Sequence, residues 1–162
     1  MSDILTKICE LKKKELESLK NNQDFVGIKR KTKVRDFLSK LKNDNNFNYN
    51  VIAEIKRASP SKGVICEDFD PIKIAKDYEK AGAACLSVLT EKTFFQGDLT
   101  ILKSIKNLIR IPILRKDFII DEWQIYESYY NEADCILLIV AALSDSELSL
   151  FYNIAKKLKL DV

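Results

Sequence analysis

From residue 51 onward, short apolar runs alternate with longer amphipathic segments. Each apolar run has the composition of a strand that is buried on both faces of a sheet. The runs cover residues 51–56, 85–90, 113–116 and 135–140, and a fifth run begins at 160–162. The segments between them open with residue types that favour helix N-termini, namely Asp70-Pro71, Asp98, Asp121-Glu122, and Ser144 with Glu147. This alternation predicts repeated strand–helix units and a parallel sheet.

The first 46 residues follow a different pattern and form a predicted helical extension. Apolar residues at helical spacing predict one helix over residues 2–21 and a shorter one over 33–41, with irregular chain between them and a loop at 43–46. Seven cations and a single acid, Asp36, lie from residue 29 to residue 42. Such a run usually forms a solvated face, and the alternative is that it attracts an anionic substrate. The predicted domains are therefore residues 1–46 and residues 47–162.

Two α/β architectures fit this order of elements, a doubly wound sheet and a (β/α)₈ TIM barrel. A doubly wound sheet that binds nucleotides often carries a glycine fingerprint, but this chain has only four glycines and neither GxGxxG nor GxxxxGK[ST]. Barrels instead carry functional side chains at the carboxyl ends of several strands. Three strand ends carry polar pairs, which are Glu54 and Lys56, Thr90 and Glu91, and Lys116 and Asp117. This distribution favours the barrel.

The length of 162 residues is short for a complete barrel. Eight units at this spacing need roughly 250 residues with the extension, and the sequence supplies about four and a half units. We therefore expect residues 47–162 to form the first half of a barrel that stops as its fifth strand begins. An open half-barrel exposes an unpaired strand edge and an interior face, so we expect these residues alone to be unstable, aggregated or oligomeric.

Two charges interrupt the first apolar run. Glu54 and Lys56 are two residues apart, so they share one face of the strand, and Ala53 and Ile55 point to the other face. Burying a carboxylate and an ammonium is costly unless they pair with each other or with a ligand. Residues 57–63 then form a polar loop that contains hydroxyls and cations. The stretch fits either an active site at the carboxyl end of a strand or an edge strand whose charges face water.

Composition and charge exclude several classes of function. The 27 basic and 24 acidic residues give a net charge of +3, which is too balanced to indicate a nucleic-acid partner. The chain has no histidine, which argues against a zinc site and against a His-based triad. Its four cysteines lack CxxC spacing, and its charged N-terminus is neither a signal peptide nor a membrane span. We expect a reduced, cytoplasmic protein without a metal site or a membrane partner.

Four motifs in order resemble one enzyme family at family-like spacing. They are AEIKRASPSKG from residue 53, SVLTEKTFFQGDLTIL from 87, PILRKDFIIDEWQI from 112 and ADCILLIVAALS from 133. The N-terminal stretch ILTKICELKKKEL also looks like the segment that this family carries ahead of its barrel. Together they closely resemble indole-3-glycerol phosphate synthase of tryptophan biosynthesis. One departure is Glu132, where the family usually has glycine; it lies in a predicted helix-to-strand turn and bears on folding more than on chemistry.

The resemblance implies a ring closure that uses no cofactor and no metal. The substrate is 1-(2-carboxyphenylamino)-1-deoxyribulose 5-phosphate, an anionic small molecule. Its aryl carbon attacks the ketone, carbon dioxide leaves, and water is lost to give indole-3-glycerol phosphate. The resemblance further implies that the family's second catalytic glutamate lies on the fifth strand and that loops after the last strands hold the phosphate, so we expect no useful turnover from residues 1–162 alone.

The resemblance also assigns roles to residues of this chain. Lys116 matches the general acid, Lys56 matches the lysine that holds the benzoate carboxylate, and Glu54 matches a carboxylate that places and relays protons. The implied substrate-binding residues are Ser59, Pro60 and Ser61 in the loop beside the site, and Phe95, Phe118 and Leu137 around the aromatic ring.

Other interpretations of the sequence stay open. One is another phosphate-binding barrel such as phosphoribosylanthranilate isomerase, although that family begins its barrel with a cysteine-bearing catalytic strand and this chain has Glu54 and Lys56 there. Another is a non-catalytic half-barrel that pairs with a second chain. For the full-length form we expect a monomer or a fusion to a neighbouring enzyme of the pathway.

Overall fold

A computed structural model describes residues 3–22, 25, 29–42 and 49–162 of the chain. The helices are α1 (Asp3–Asn22), α2 (Phe37–Lys42), α3 (Pro71–Lys80), α4 (Thr100–Lys106), α5 (Trp123–Tyr130) and α6 (Asp145–Lys157). The strands are β1 (Ile52–Ile55), β2 (Ala58–Ser59), β3 (Gly63–Val64), β4 (Cys85–Leu89), β5 (Ile113–Lys116) and β6 (Cys135–Ile136). This order confirms the predicted α/β class. Within these residues, no helix is both long enough and apolar enough to cross a lipid bilayer.

Four strands form one parallel sheet in the order β1-β4-β5-β6. Within the described ranges the sheet does not close, because it ends at β1 on one side and at a parallel bridge between Cys135 and Asp161 on the other. The predicted fourth strand, 135–140, is too long. Only its first residues have backbone partners on both sides, and Val140–Ala142 forms a short 3₁₀ turn instead.

The helices α3 and α6 begin where the sequence predicts, because the capping side chains lie within three residues of the N–H groups that they satisfy. Asp70 accepts hydrogen bonds from the backbone N–H groups of Ile72 and Lys73, and Pro71 occupies the first turn of α3. After α3, Gly82 adopts a φ of +90°, a left-handed conformation that favours glycine. Ser144 and Glu147 form the predicted capping box of α6.

The core lies between the sheet and its helices. Ile55 of β1 and Val88 of β4 are buried against α3 and α4 in one apolar cluster, and Ala53 packs at its margin. This arrangement confirms that Ala53 and Ile55 point away from Glu54 and Lys56. A second cluster joins α5, α6 and β6. Because both clusters lie on the helical side, the polar residues of β1 are left on the opposite face.

The second helix begins later than residue 33, at Phe37. The backbone N–H of Arg35 donates to Asp134 at 2.8 Å, and those of Phe37 and Leu38 donate to Asp161. The carboxylate of Asp134 thus binds the chain just ahead of α2, and the carboxylate of Asp161 binds the first N–H groups of α2, so the helix begins only at Phe37. The predicted loop at 43–46 lies outside the described residues, and the division at residue 46 stays a prediction.

The interpretation of the cation-rich segment as a solvated face is wrong for two of its arginines. The Arg30 side chain is only 3% exposed, and its guanidinium donates to Ala133 O at 2.6 Å and to Asp134 at 3.1 Å. Arg35 donates to the carbonyl oxygens of Ile111 and Lys106. These arginines satisfy carbonyl groups at the turns that lead into the strands, so the segment fastens the extension to the sheet.

Glu132 shares that role. Its backbone φ is +72°, a left-handed conformation that is easiest for glycine. Its carboxylate accepts hydrogen bonds from the backbone N–H groups of Lys31 and Thr32 and from the Thr32 hydroxyl. The side chain therefore does structural work for the extension that a glycine at this position could not do.

Candidate active site

The carboxyl ends of β1 and β5 bring three charged side chains together. The Glu54 carboxylate accepts from Lys56 Nζ at 2.6 Å through one oxygen and from Lys116 Nζ at 3.2 Å through the other. β4 lies between the two strands, with Ser87 beside Glu54 and Leu89 beside Lys116. All three charged side chains are about one-third exposed, so they border solvent rather than the core.

This cluster keeps Glu54 ionised. Partial burial by itself raises the pKa of the Glu54 carboxyl, but the hydrogen bonds and positive charges of Lys56 and Lys116 outweigh it and place the pKa below its ordinary value. A carboxylate that holds two ammonium groups at one edge of a sheet can order both as proton donors or as anion-binding groups. The alternative of a plain edge strand facing water does not explain the contact with Lys116, which lies two strands away.

Next to the cluster is a cavity of about 150 Å³. Six of the residues predicted for the site line it, which are Glu54, Lys56, Phe95, Lys116, Phe118 and Leu137. The rings of Phe95 and Phe118 lie 6.2 Å apart between centroids and form its aromatic wall. The cavity thus joins a cationic side to a flat apolar side, a combination that suits an aromatic acid.

Three further residues line the cavity and were not predicted, namely Leu89, Asp117 and Ile139. Ile139 carried a usable signal, because it is two residues after Leu137 in an extended segment and so points to the same side. Leu89 of β4 lies directly opposite Lys116 of β5 in the sheet register, and this pairing is not visible in the sequence.

The predicted substrate-binding residues Ser59, Pro60 and Ser61 do not line this cavity. The stretch that was predicted as a plain loop contains the antiparallel pair β2–β3, which Ala58–Ser59 and Gly63–Val64 form. The pair is tied to the aromatic wall because Ala58 N donates to Phe95 O at 3.2 Å. The three residues therefore lie in a hairpin attached to the cavity, and their contact with a substrate stays a prediction.

Buried charges support the site from behind. Arg115 and Asp117 flank Lys116 but point to the helical side, where they pair at 3.0 Å. The Thr90 hydroxyl donates to Asp117 at 2.6 Å, and Glu127 of α5 pairs with Arg115 at 2.9 Å. Arg115 and Asp117 are each only 3% exposed, so these two neighbours of Lys116 are buried charges rather than part of an exposed strand end.

A second carboxylate shapes the loop after β4. Glu91 is 2% exposed and accepts from the backbone N–H groups of Thr93, Phe94 and Phe95 at 2.7–3.0 Å. These bonds satisfy three donors of a tight turn and hold the backbone that carries the Phe95 ring. Among the residues that the structure describes, no group of three histidine, cysteine or carboxylate side chains is placed to hold a metal ion.

Comparison with known proteins decides the family. The sequence model described as indole-3-glycerol phosphate synthase matches residues 5–162, which is nearly the whole chain. The chain belongs to this family. The barrel predicted from the strand ends is the fold of indole-3-glycerol phosphate synthases, and the parallel sheet with its helices is part of such a barrel.

Several indole-3-glycerol phosphate synthases are close in sequence. The chain is 50% identical over 158 residues to the enzyme of Acetivibrio thermocellus. The matched region covers 94% of this chain and 60% of the relative. It is 49% identical over 160 residues to that of Nautilia profundicola, with 98% and 62% covered. For that of Legionella pneumophila the values are 48% over 164 residues, with 100% and 63% covered. The chain therefore spans about three fifths of the length of these relatives.

Gly97 is closely packed against backbone atoms in the loop that contains Phe95. A Cβ atom at this position would overlap Leu89 O and lie 2.9 Å from Glu91 O, both of which are backbone atoms. We expect Gly97→Ala to lower the free energy of unfolding by about 1–3 kcal/mol, because the loop must shift to make room. Urea unfolding measures this. Thr93→Ala, an exposed change in the same loop, should stay within about 0.5 kcal/mol of the wild type, and equal effects of the two changes would contradict the steric account.

The stability of the chain should depend on the ionisation of Asp117. Burial raises the pKa of its carboxyl, but Arg115 and Lys12 outweigh it, so the folded-state pKa lies below the ordinary 3.8. The ionised carboxylate therefore stabilises the folded state above the unfolded-state pKa of 3.8. This stabilisation is lost as the pH falls through the lower pKa of the folded state. We expect the difference in free energy of unfolding between the wild type and Asp117→Asn to shrink between pH 5 and pH 3. A difference that stays constant in urea unfolding over this range would contradict the prediction.

Proposed function

We propose that the full-length protein is an indole-3-glycerol phosphate synthase, a carboxy-lyase of tryptophan biosynthesis. It converts 1-(2-carboxyphenylamino)-1-deoxyribulose 5-phosphate to indole-3-glycerol phosphate, carbon dioxide and water. The observation that carries the proposal is the contact of Glu54 with Lys56 and Lys116 beside a cavity walled by Phe95 and Phe118. Positive charge next to an aromatic wall matches a substrate that is both an aromatic acid and an anion.

Lys116 is proposed as the general acid. As the aryl carbon bonds to the ketone carbon, negative charge develops on the ketone oxygen, and a positioned ammonium can neutralise it by donating a proton. Lys116 is 38% exposed at the edge of the cavity, so its ammonium is accessible to a substrate there. Its contact with Glu54 Oε2 at 3.2 Å gives it a fixed orientation before the substrate binds.

Lys56 and Glu54 are proposed to act together on the carboxylate side of the substrate. Lys56 pairs with the benzoate carboxylate until carbon dioxide leaves, and Glu54 places both lysines and relays protons between them. The pKa of Glu54 is lowered by these lysines, so the residue is an acceptor in the resting enzyme. Phe95, Phe118 and Leu137 pack on the aromatic ring and exclude water from the bond that forms.

The remaining roles follow from the family resemblance. Ser59, Pro60 and Ser61 are proposed to border the bound substrate from the hairpin beside Phe95. Residues 1–162 alone are proposed to give no useful turnover, since the resemblance places a second glutamate and the phosphate-holding loops in later strand–helix units. The full-length enzyme is proposed to act in the cytoplasm without a cofactor, as a monomer or fused to a pathway neighbour.

The test is a direct assay of the purified full-length protein with the synthetic carboxyphenylamino-deoxyribulose phosphate. We expect one carbon dioxide per indole-3-glycerol phosphate, with the indole product followed by its fluorescence. The Acetivibrio thermocellus relative, assayed in parallel, shows that substrate and conditions are sound. A folded full-length protein that releases neither product would contradict the proposal.

A further inference from the structure

A buried lysine of the N-terminal extension reaches the back of the candidate site. Lys12 of α1 has a side chain only 6% exposed, and its ammonium lies 2.8 Å from Glu15 Oε2 and 3.5 Å from Asp117 Oδ1. Burying an ammonium is costly unless carboxylates surround it, and long charged side chains are rarely buried without such a partner. Burial by itself lowers the pKa of Lys12, but Asp117 and Glu15 outweigh it and raise the pKa above its ordinary value. The residue is therefore charged when folded.

The oxygen that faces Lys12 also holds one wall of the cavity. Asp117 Oδ1 accepts from the backbone N–H of Phe118 at 2.8 Å, while Oδ2 is occupied by the Thr90 hydroxyl and by Arg115. Lys12 and Phe118 thus share one carboxylate oxygen. Without the ammonium, that oxygen would keep only the Phe118 N–H, and the carboxylate could rotate about its bonds to Arg115 and Thr90.

The second wall is within electrostatic reach of the same lysine. The charge of Glu91 acts on Lys12, and Glu91 is the carboxylate that holds the backbone of Phe95. The two carboxylates come after β4 and β5, and each accepts a hydrogen bond from the backbone N–H of one of the two phenylalanines whose rings lie 6.2 Å apart. The positive charge of a single ammonium from the extension therefore acts on both carboxylates.

We propose that Lys12 is a positioning residue for the aromatic wall. Its ammonium holds Asp117 in place through their ion pair and also attracts Glu91, and through these carboxylates it sets the positions of Phe118 and Phe95 around the aromatic ring of the substrate. Lys12 does not touch the cavity, and it acts on substrate binding rather than on proton transfer. This inference rests on the proposed synthase activity for its kinetic consequence, but its structural consequence can be measured without any turnover.

The kinetic test compares three Lys12 variants and one control variant of the full-length protein. Lys12→Met removes the charge and keeps the length of the side chain, and we expect KM for the substrate to rise about tenfold while kcat stays within about threefold of the wild type. Lys12→Arg restores the charge and should recover most of the KM. Lys12→Gln keeps a donor without the charge and should resemble Lys12→Met. A purely structural role would lower the folded fraction, which reduces the apparent kcat and leaves KM unchanged.

Lys20→Met is the matched control. Lys20 lies on the same helix and also joins the extension to the barrel, through an ion pair with Asp121 at 2.5 Å, but that pair is partly exposed and away from the cavity. We expect its KM to equal that of the wild type. If Lys20→Met raises KM as much as Lys12→Met does, the effect belongs to the extension as a whole and the proposal is overturned.

The structural readout is the ¹⁹F spectrum of 4-fluorophenylalanine incorporated at position 118 alone. We expect one sharp signal in the wild type and in Lys20→Met, and a shifted or broadened signal in Lys12→Met. A folded Lys12→Met protein with an unchanged spectrum, or with an unchanged KM, overturns the proposal. If Lys12→Met does not fold, the comparison of Lys12→Gln with Lys12→Arg decides in the same way. If the wild type shows no turnover, the proposed function fails, and the spectrum alone decides whether Lys12 positions Phe118.

Discussion

Replacing Lys116 with methionine should lower kcat for indole-3-glycerol phosphate formation by about 10³-fold in the full-length protein. The reason is the loss of the proposed proton donor, and general acids contribute effects of this size. Methionine keeps the length of the side chain, so the cavity should keep its shape. KM should change much less than kcat, because Lys56 and the aromatic wall remain. Steady-state kinetics with the synthetic substrate measures both.

The control for this change is Lys103→Met on the outer, exposed face of α4. It removes the same charge far from the cavity and should leave kcat unchanged. If Lys116→Met keeps more than a tenth of the wild-type kcat, another group supplies the proton and the role proposed for Lys116 is wrong. The pKa of Glu54 should also rise in Lys116→Met, because one of the two ammonium groups that lower it is lost.

The largest loss of stability is expected from Asp134→Asn. Asp134 is fully buried and accepts from Arg30, from Lys106 Nζ and from the backbone N–H groups of Arg35 and Ile113. Burial lowers the pKa of Lys106 to about 8 even with this partner, so without the carboxylate its ammonium is uncompensated. Breaking a buried ion pair from one side costs about 3–5 kcal/mol. Urea unfolding of the full-length protein should show a loss of this size.

Asp68→Asn, an exposed change in the loop ahead of α3, is the matched control and should stay within about 0.5 kcal/mol of the wild type. A loss below about 1 kcal/mol for Asp134→Asn would contradict the account. It would mean that Arg30 and Lys106 find other partners, and that the cation-rich segment is not fastened to the sheet through this carboxylate.

Local features of the sequence predicted much of the fold. The capping residues Asp70 and Ser144 satisfy N–H groups within three positions of themselves, so their effect is visible in the sequence. The strands follow from apolar composition, and alternation along β1 correctly separates Glu54 from Ile55. The sequence predicted that Glu54 and Lys116 lie at the carboxyl ends of two different strands, but it did not predict their contact. That contact depends on the register of three strands.

The features that the sequence did not reveal depend on contacts between distant parts of the chain. Arg30 is 104 residues from Asp134, and nothing near Arg30 marks it as buried. The same holds for Lys12. Its helix has an ordinary amphipathic pattern, and only the folded structure shows that Asp117 lies beside its ammonium. The hairpin at residues 58–64 was missed because its strands have two residues each, too few to show any periodicity. The predicted instability of residues 1–162 alone stays a prediction.

A hybrid protein tests directly whether Glu54, Lys56 and Lys116 form the catalytic part of a synthase. Residues 1–162 of this chain replace the corresponding first part of the Acetivibrio thermocellus relative, which is 50% identical over the matched region. In this hybrid Glu54, Lys56, Lys116 and the aromatic wall all come from this chain. We expect the hybrid to form indole-3-glycerol phosphate and Lys116→Met to lower its kcat about 10³-fold, while residues 1–162 alone form none. A folded hybrid without activity, or one that keeps more than a tenth of its kcat after Lys116→Met, would contradict the proposed function.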